Sequence, residues 1–524
     1  MTQIRYPIGD SSFRKIRENG FFYIDKTEVV YKLAHHATYC FLSRPRRFGK
    51  SLLVSTLEAY FKGQRQLFDG LAIAAIEKEW TEHAVLRLDL SADDMSRCEG
   101  LNAYLHAKLG AYEDIYGQNS RETSFGTRFK GIIQRAYEKT GRGVVILIDE
   151  YDNPMISTLG KPEVHEQMRT TLKGLYSVLK AESEHIRFCF LTGITRFSKM
   201  SVFSGLNNLK DLTLKPQYAT ICGITQQELE TYCTEGIRNV ADTNGVSYQQ
   251  ALEKLKAFYD GYHFAHHSPD IYNPFSLLQA LQDGELHPYW NESGGRAEFL
   301  WKAISRRADT RPLTDVLSPV MRRNQLGASE DGHSDLTPLL FQTGYLTIKE
   351  ADEMGSEFRL GVPNREVMEG IMYGLLPFAS LCDDDLMSTD LYRIRRLAND
   401  GDTDAMMRYL QSFLAGIGSR LTKKMPEIYY ENNLYILFTI IGIRTSVEVE
   451  TSDGRMDVLM ECRQHIYVIE LKLDRSPEEA LEQIRRKHST LSLERHGIPV
   501  TLIGINFSTE TRNIDSWRWE RSDT

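Results

Sequence analysis

Two separated groups of residues in this chain have the types and spacings that phosphate chemistry needs. The first is RPRRFGKS at positions 44–51, in which Gly49, Lys50 and Ser51 fill the last three places of a phosphate-binding loop. Such a loop turns backbone amides and a helix N-terminus toward an anion, while its lysine and hydroxyl reach the terminal phosphates and Mg²⁺. A hundred residues on, the apolar run Val144, Val145, Ile146, Leu147, Ile148 ends in Asp149 and Glu150. Acids at that place suit a water-mediated Mg²⁺ ligand, Asp149, and a group that polarises the attacking water, Glu150. The second group lies near the other end: Asp457, then Glu470 and Lys472 in an E-x-K spacing. Hydrolysis of a phosphodiester with metal help needs acids to hold one or two Mg²⁺ and a lysine to orient or activate water.

The elements that must position these groups are legible around them. Thr38 to Ser43 is a short β-prone run, and Leu53, Leu57 and Phe61 follow the loop at helical spacing, so the order is strand, loop, helix. The first glycine of the usual G-x-x-x-x-G-K-[ST] pattern is replaced by Arg44. The loop cations Arg44, Arg46 and Arg47 either add charge beside the phosphates or face solvent or a neighbouring domain; Phe48 completes the loop. A strand at 187–191 leads into TGITRFSK, which brings Thr192, Thr195 and Arg196 to the same sheet edge. Thr192 and Thr195 are candidates to sense the γ-phosphate. Arg196 or Lys199 is a candidate for stabilising transition-state charge, with a plain salt-bridged arginine an equal reading. Strands at 85–90 and 219–224 would complete a five-stranded parallel sheet.

In the last hundred residues, Glu470 and Lys472 share one face of a strand because side chains alternate. Asp457 opens the strand before it, after a hairpin turn at Ser452 to Arg455. The following helix, 476–487, presents Gln483 and then Arg486 and Lys487, and the preceding helix starts near Glu431. Glu448 lies on the strand before the turn.

The 524-residue length exceeds what one hydrophobic core supports, and 41% hydrophobic with 26% charged residues suits several folded soluble domains. No apolar run has signal-peptide or bilayer-spanning length, and seven scattered cysteines form no metal-site spacing, which together point to a cytoplasmic location with no membrane partner. A net charge of −8 argues against a generally basic nucleic-acid-coating surface, so any such contact must be local. His266 and His267 lack further ligands at metal-site spacing and read as a loop.

The chain resembles a group of bacterial AAA-ATPase-like proteins in YIDKT (23–27), RPRRFGKS (44–51), LIDEYD (147–152), TGITRFSK, YDGYHF (259–264) and YNPFSLL (272–278). GRMD and IELKLD resemble the PD-(D/E)XK nuclease variant that accompanies that group. The resemblance implies an α/β multidomain architecture: a P-loop NTPase of the ASCE type over 1–225, a helical and winged-helix-like connector over 226–380, a helical linker over 381–425 and a restriction-endonuclease-like domain over 426–524. A β-hairpin is expected from FQTGYLTI (341–348) and FRLGVPN (358–364). The implied roles are nucleotide contacts at Arg44, Arg47, Phe48, Gly49, Lys50, Ser51, Asp149 and Thr192. In the nuclease part they are metal ligation by Asp457 and Glu470, catalysis by Lys472, an auxiliary acid at Glu431 or Glu448, and positioning by Gln483. ATP and Mg²⁺ are the expected cofactors and nucleic acid, DNA before RNA, the expected partner, with homo-oligomerisation left open. Expected function is an ATP-controlled, Mg²⁺-dependent endonuclease, with defence or mobile-element biology a role the resemblance suggests. The alternative is an ATP-switched protein that grips nucleic acid or a partner without cutting.

Overall fold

The computed structural model describes residues 4–196, 209–290, 298–327, 336–377, 384–418, 427–442, 444–451, 454–488 and 498–522. The chain divides into two compact units, one of residues 1–293 with 320–366 and the other of 294–319 with 367–524. The segment expected as a connector, 226–380, is therefore shared between them.

The first unit is built on a five-stranded parallel sheet of β1 (Tyr39–Ser43), β2 (Val85–Asp89), β3 (Val144–Asp149), β4 (Ile186–Gly193) and β5 (Lys210–Asp211), in the order β2-β3-β4-β1-β5. Every residue of β1 and β3 is buried, as strands covered by helices on both faces must be. β4 intervenes between the loop-bearing strand β1 and the acid-bearing strand β3, the order expected for the ASCE type. Helices Cys98–Tyr116, Phe125–Thr140 and Pro162–Ala181 cover one face, and their Leu105, Phe129, Ile133 and Leu172 join the sheet in one apolar core.

The fifth strand is not the expected 219–224 but Lys210–Asp211, paired with Cys40 and Phe41. The apolar residues Ala219, Ile221 and Cys222 are buried in an irregular segment that ends at Gly223, whose φ of 93° suits glycine. Only β6 (Ile224–Thr225) is extended there, and it pairs antiparallel with β7 (Ile271–Tyr272) in a separate small sheet. Burial on both faces made this run look like a sheet strand, yet its backbone partner lies elsewhere.

Of the three helices between β6 and β7, the first, Gln226–Tyr232, and the third, Tyr248–Tyr259, are started by side-chain caps. Thr225 accepts from the Glu228 amide and Ser247 from the Gln250 amide; after β7, Asn273 caps helix Pro274–Asp283. The YIDKT segment packs onto this region: Lys26 pairs with Glu228 at 2.5 Å, and Asp25 accepts from the amides of Thr27 and Ala72. The expected hairpin is real only in its second part. Phe341 to Thr343 end a helix, Thr337–Thr343, and the sheet comprises β8 (Val320–Arg322), β9 (Thr347–Ala351) and β10 (Glu357–Gly361), ordered β8-β10-β9.

The second unit contains helices Glu298–Ala308, Asp384–Asp400, Thr403–Gly418 and Glu427–Ile441, then a five-stranded sheet. Its strands are β11 (Arg444–Thr451), β12 (Gly454–Glu461), β13 (Ile466–Leu473), β14 (Val500–Ser508) and β15 (Asn513–Arg521), neighbours in sequence order. β13 and β14 run parallel, joined across helix Pro477–His488, and the other pairs are antiparallel. The alternation of Ile466, Val468, Leu502 with Leu481 and Ile484 of the helix makes the local core. The chemistry-bearing strand β13 is thus the central strand, paired with β14 along its whole length and with β12 over Ile466–Ile469.

Candidate functional sites

In the first unit, β1 delivers the loop and Gly49 turns it into helix Lys50–Phe61. Gly49 sits at the helix N-cap in the left-handed region, φ 89°, where a side chain would be strained. Lys50 follows with its side chain only 3% exposed; its Nζ lies 3.3 Å from Glu150 Oε1 and donates to Pro45 O at 3.2 Å. The P-loop lysine and the acid after β3 are thereby brought together from opposite sides of β4. Glu150 itself has φ 48°, outside the usual region for a residue with a side chain, so the turn after β3 holds it at a conformational cost.

Asp149 is fully buried, and its carboxyl pKa is pushed up to about 6, first by burial and then by Glu150, with the Ser51 hydroxyl and Lys50 pulling it back. Among the described residues its Oδ2 has no hydrogen-bond donor, and Arg87 stands 3.9 Å away. A buried carboxylate oxygen without a donor, beside a serine hydroxyl, fits a divalent cation.

The loop arginines go to different places. Arg44 is 1% exposed, and its guanidinium donates to the carbonyls of Ser43, Thr213 and Tyr218 and stacks on Phe264 at 4.3 Å. Burial lowers its pKa to about 10, so it stays charged while tying the loop to the body of the unit. Its charge is directed at carbonyls and a ring, away from the place beside the phosphates that was one of its expected readings. Arg47 lies over Phe275 at 4.7 Å with φ 68°, and Arg46 is exposed. Phe48 packs edge-on against Tyr262 and Phe264, at 4.8 and 5.2 Å. The YDGYHF segment is therefore the bed on which the loop rests.

Thr192 uses its hydroxyl to bond Leu42 O at 2.8 Å, holding β4 to β1. Arg196 takes the salt-bridged form, Nε to Asp211 Oδ2 at 3.0 Å. Lys199 lies outside the described residues.

Asp152 was missed in the sequence, although three acids in four positions at 149–152 were a signal. It is fully buried and its Oδ2 accepts from Ile194 N at 3.0 Å, Thr195 N at 2.6 Å and Thr195 Oγ1 at 2.6 Å. A Cβ at Gly193 would stand 2.2 Å from Asp152 Oδ1, so the glycine is required for this clamp between the ends of β3 and β4. Thr195 is thus committed to Asp152.

A cavity of about 860 Å³ runs along β2 beside this site, lined by Glu58, Arg87, Asp89, Lys108 and Tyr112 among others. It borders the site through Arg87, which bonds Glu58 at 3.0 Å and faces Asp149, and through Asp89, the strand neighbour of Asp149.

In the second unit, β13 places Glu470, fully buried, and Lys472 on one face, with Nζ 3.5 Å from Glu470 Oε1. Gln483 is half-buried on helix Pro477–His488, which lies tight on β14: a Cβ at Gly504 would be 2.2 Å from Pro477 O. Gly504 stands level with Glu470 in the β13–β14 register. The β11–β12 pairs Val447↔Val458 and Val449↔Met456 flank Glu448 and Asp457. Glu431 falls in the second turn of helix Glu427–Ile441, which begins one turn earlier than expected. The side chains of Glu431, Glu448, Asp457 and Lys487, and the turn at 452–453, lie outside the described residues. Among the described residues, no three His, Cys, Asp or Glu side chains converge as a metal site, and no helix is long and apolar enough to cross a membrane.

Residues 7–203 match the family model for a predicted AAA-ATPase, and residues 425–517 match that of the PD-(D/E)XK nuclease superfamily. Over 525 aligned residues the chain is 32% identical to an uncharacterized protein from the vnfD 5′ region of Azotobacter chroococcum mcd 1, covering 98% of each. With both domains matched and the whole length shared with that relative, the chain belongs to the family of AAA-ATPase-like proteins that carry a C-terminal PD-(D/E)XK nuclease domain.

Proposed function

We propose that the protein binds and hydrolyses ATP in the first unit and, under that control, cleaves nucleic-acid phosphodiester bonds in the second. The observation that carries the reading is the meeting of Lys50 and Glu150, 3.3 Å apart at the ends of strands separated by β4, next to Asp149, whose Oδ2 has no donor among the described residues. The loop amides and Lys50 would hold the β- and γ-phosphates, with Ser51 and Asp149 as the Mg²⁺ ligands. Bound there, Mg²⁺ would neutralise charge developing on the phosphates. Glu150, leaving its ion pair with Lys50 as phosphate takes the lysine, would orient the attacking water. Thr192, Asp152 and Arg196 would keep the β4 end in place, Arg196 being available for the γ-phosphate when released from Asp211.

In the second unit, Asp457 and Glu470 would hold Mg²⁺ with an auxiliary acid from Glu431 or Glu448. Lys472, fixed beside Glu470, would orient the hydrolytic water against the scissile phosphate, and Gln483 would position the strand being cut. DNA is the substrate class favoured, with bacterial defence or mobile-element biology as the setting.

The test is incubation of the full chain with Mg²⁺ and plasmid, linear or single-stranded DNA, with and without ATP, beside Lys50→Ala and Lys472→Ala. The expected result is cleavage that Lys472→Ala abolishes while ATP turnover persists, and that loses ATP dependence in Lys50→Ala. ATP turnover without cleavage of any substrate would replace the nuclease reading with that of an ATP-switched binding protein.

A further inference from the structure

One short turn outside the nucleotide-binding motifs touches the site at two places. Gln342, 3% exposed at the end of helix Thr337–Thr343, accepts from the Arg196 amide at 3.0 Å and donates from Nε2 to Leu326 O at 2.6 Å. The helix then stops at Gly344 in the left-handed region, φ 92°, where a Cβ would be 2.7 Å from Pro45 Cβ and 3.5 Å from the Tyr262 ring. Tyr345 follows, close enough to Arg46 for the arginine's charge to act on its phenol. The turn therefore abuts the phosphate loop at Pro45 and Arg46 and the end of β4 at Arg196.

In a P-loop site the loop holds the phosphates, and segments beside the γ-phosphate are ordered or released as it arrives or leaves. A buried side-chain amide bonded at both ends to backbone groups cannot follow one partner and abandon the other cheaply, since each broken bond strands a buried polar atom. The helix end must then shift as a piece. The segment 320–366 that contains it continues, at both of its own ends, into residues of the second unit.

We propose that Gln342–Tyr345 is the element that passes nucleotide occupancy out of the P-loop site, with Gln342 as its positioning residue. This rests on the nucleotide-binding reading above and adds to it the route of control. Gln342 touches no phosphate, so its loss affects coupling and leaves affinity nearly intact.

The experiment is amide hydrogen exchange on the full-length protein with and without Mg²⁺ and a non-hydrolysable ATP analogue, in wild type, Lys50→Ala and Gln342→Met, with analogue affinity measured separately. In wild type the analogue should change exchange at 342–346 by about tenfold, the equivalent of one buried hydrogen bond made or lost. Lys50→Ala should show no change. Gln342→Met should keep its affinity within about threefold, lose the response at 342–346 and cut DNA equally with and without ATP. Wild type that binds the analogue without change at 342–346 overturns this inference and leaves nucleotide binding standing. Wild type that binds no analogue overturns both. The wild-type arm needs no variant, so a destabilised Gln342→Met does not blunt it.

Discussion

A carboxylate with no exposed surface, beside a second carboxylate, is costly to ionise, and Asp149 is held in that state. Its pKa of about 6 in the folded chain stands above the ordinary 3.8, so between those values the folded state binds the proton and the unfolded state does not. Stability from this group is therefore present at low pH and is lost as pH rises through that window. Asp152, also pushed up to about 6 by burial and Glu150, has the same sign. Asp149→Asn should then melt higher than wild type above pH 6, by at most about 3 kcal/mol, with the advantage gone near pH 4. The same variant should lose the Mg²⁺ dependence of nucleotide binding. Thermal melts across pH 4–8 check the first part and titration with and without Mg²⁺ the second; equal melting of the two proteins at pH 8 would contradict the cost assigned to Asp149.

At the scale of elements, glycines mark where backbones must meet. Gly193→Ala drives a Cβ to 2.2 Å from Asp152 Oδ1 and should part the ends of β3 and β4. ATP turnover should fall by up to about a hundredfold, as a roughly 1 Å misplacement of catalytic groups can cost, with a smaller change in nucleotide affinity. Gly504→Ala sets a Cβ at the same distance from Pro477 O and should lift helix Pro477–His488 from β14. Cleavage should suffer and ATP turnover should not; a parallel loss of both would contradict the separate placement of the two sites. Phe48→Ala removes the ring wedged between Tyr262 and Phe264 and should cost about 3–5 kcal/mol, read in denaturant melts of the first unit.

For the whole molecule, the second unit is larger than its nuclease sheet. Tyr467 donates to Ala398 O at 2.7 Å, Trp517 to Asp404 at 3.0 Å and Gln411 to Ile514 O at 2.6 Å. Asn432 bonds Ala308 O, Arg311 O and the Leu313 amide. A fragment limited to 426–524 would expose these groups and the surface that helices Asp384–Asp400 and Thr403–Gly418 cover. We expect it to be insoluble or to melt without cooperativity, whereas a chain that retains 294–319 and 367–425 should fold. Circular dichroism melts of the two decide it.

Much of both sites was readable along the chain because it is local. Strand, loop, Gly-Lys-Ser and helix are contiguous; the acids follow directly on an apolar run; Glu470 and Lys472 share a face by the two-residue period of a strand. The tertiary structure alone decided what depends on distant partners. Arg44 replaces a loop glycine because carbonyls from Thr213 and Tyr218, about 170 residues away, receive its guanidinium. The run at 219–224 has a strand's composition but no strand to pair with in the large sheet. Asp152 and Gln342 read as turn and hairpin residues until folding buries them against Thr195 and Arg196. Hydrophobic pattern specifies which face of an element is covered; it carries no address for the hydrogen-bond partner, and that address is what makes a buried polar residue a clamp.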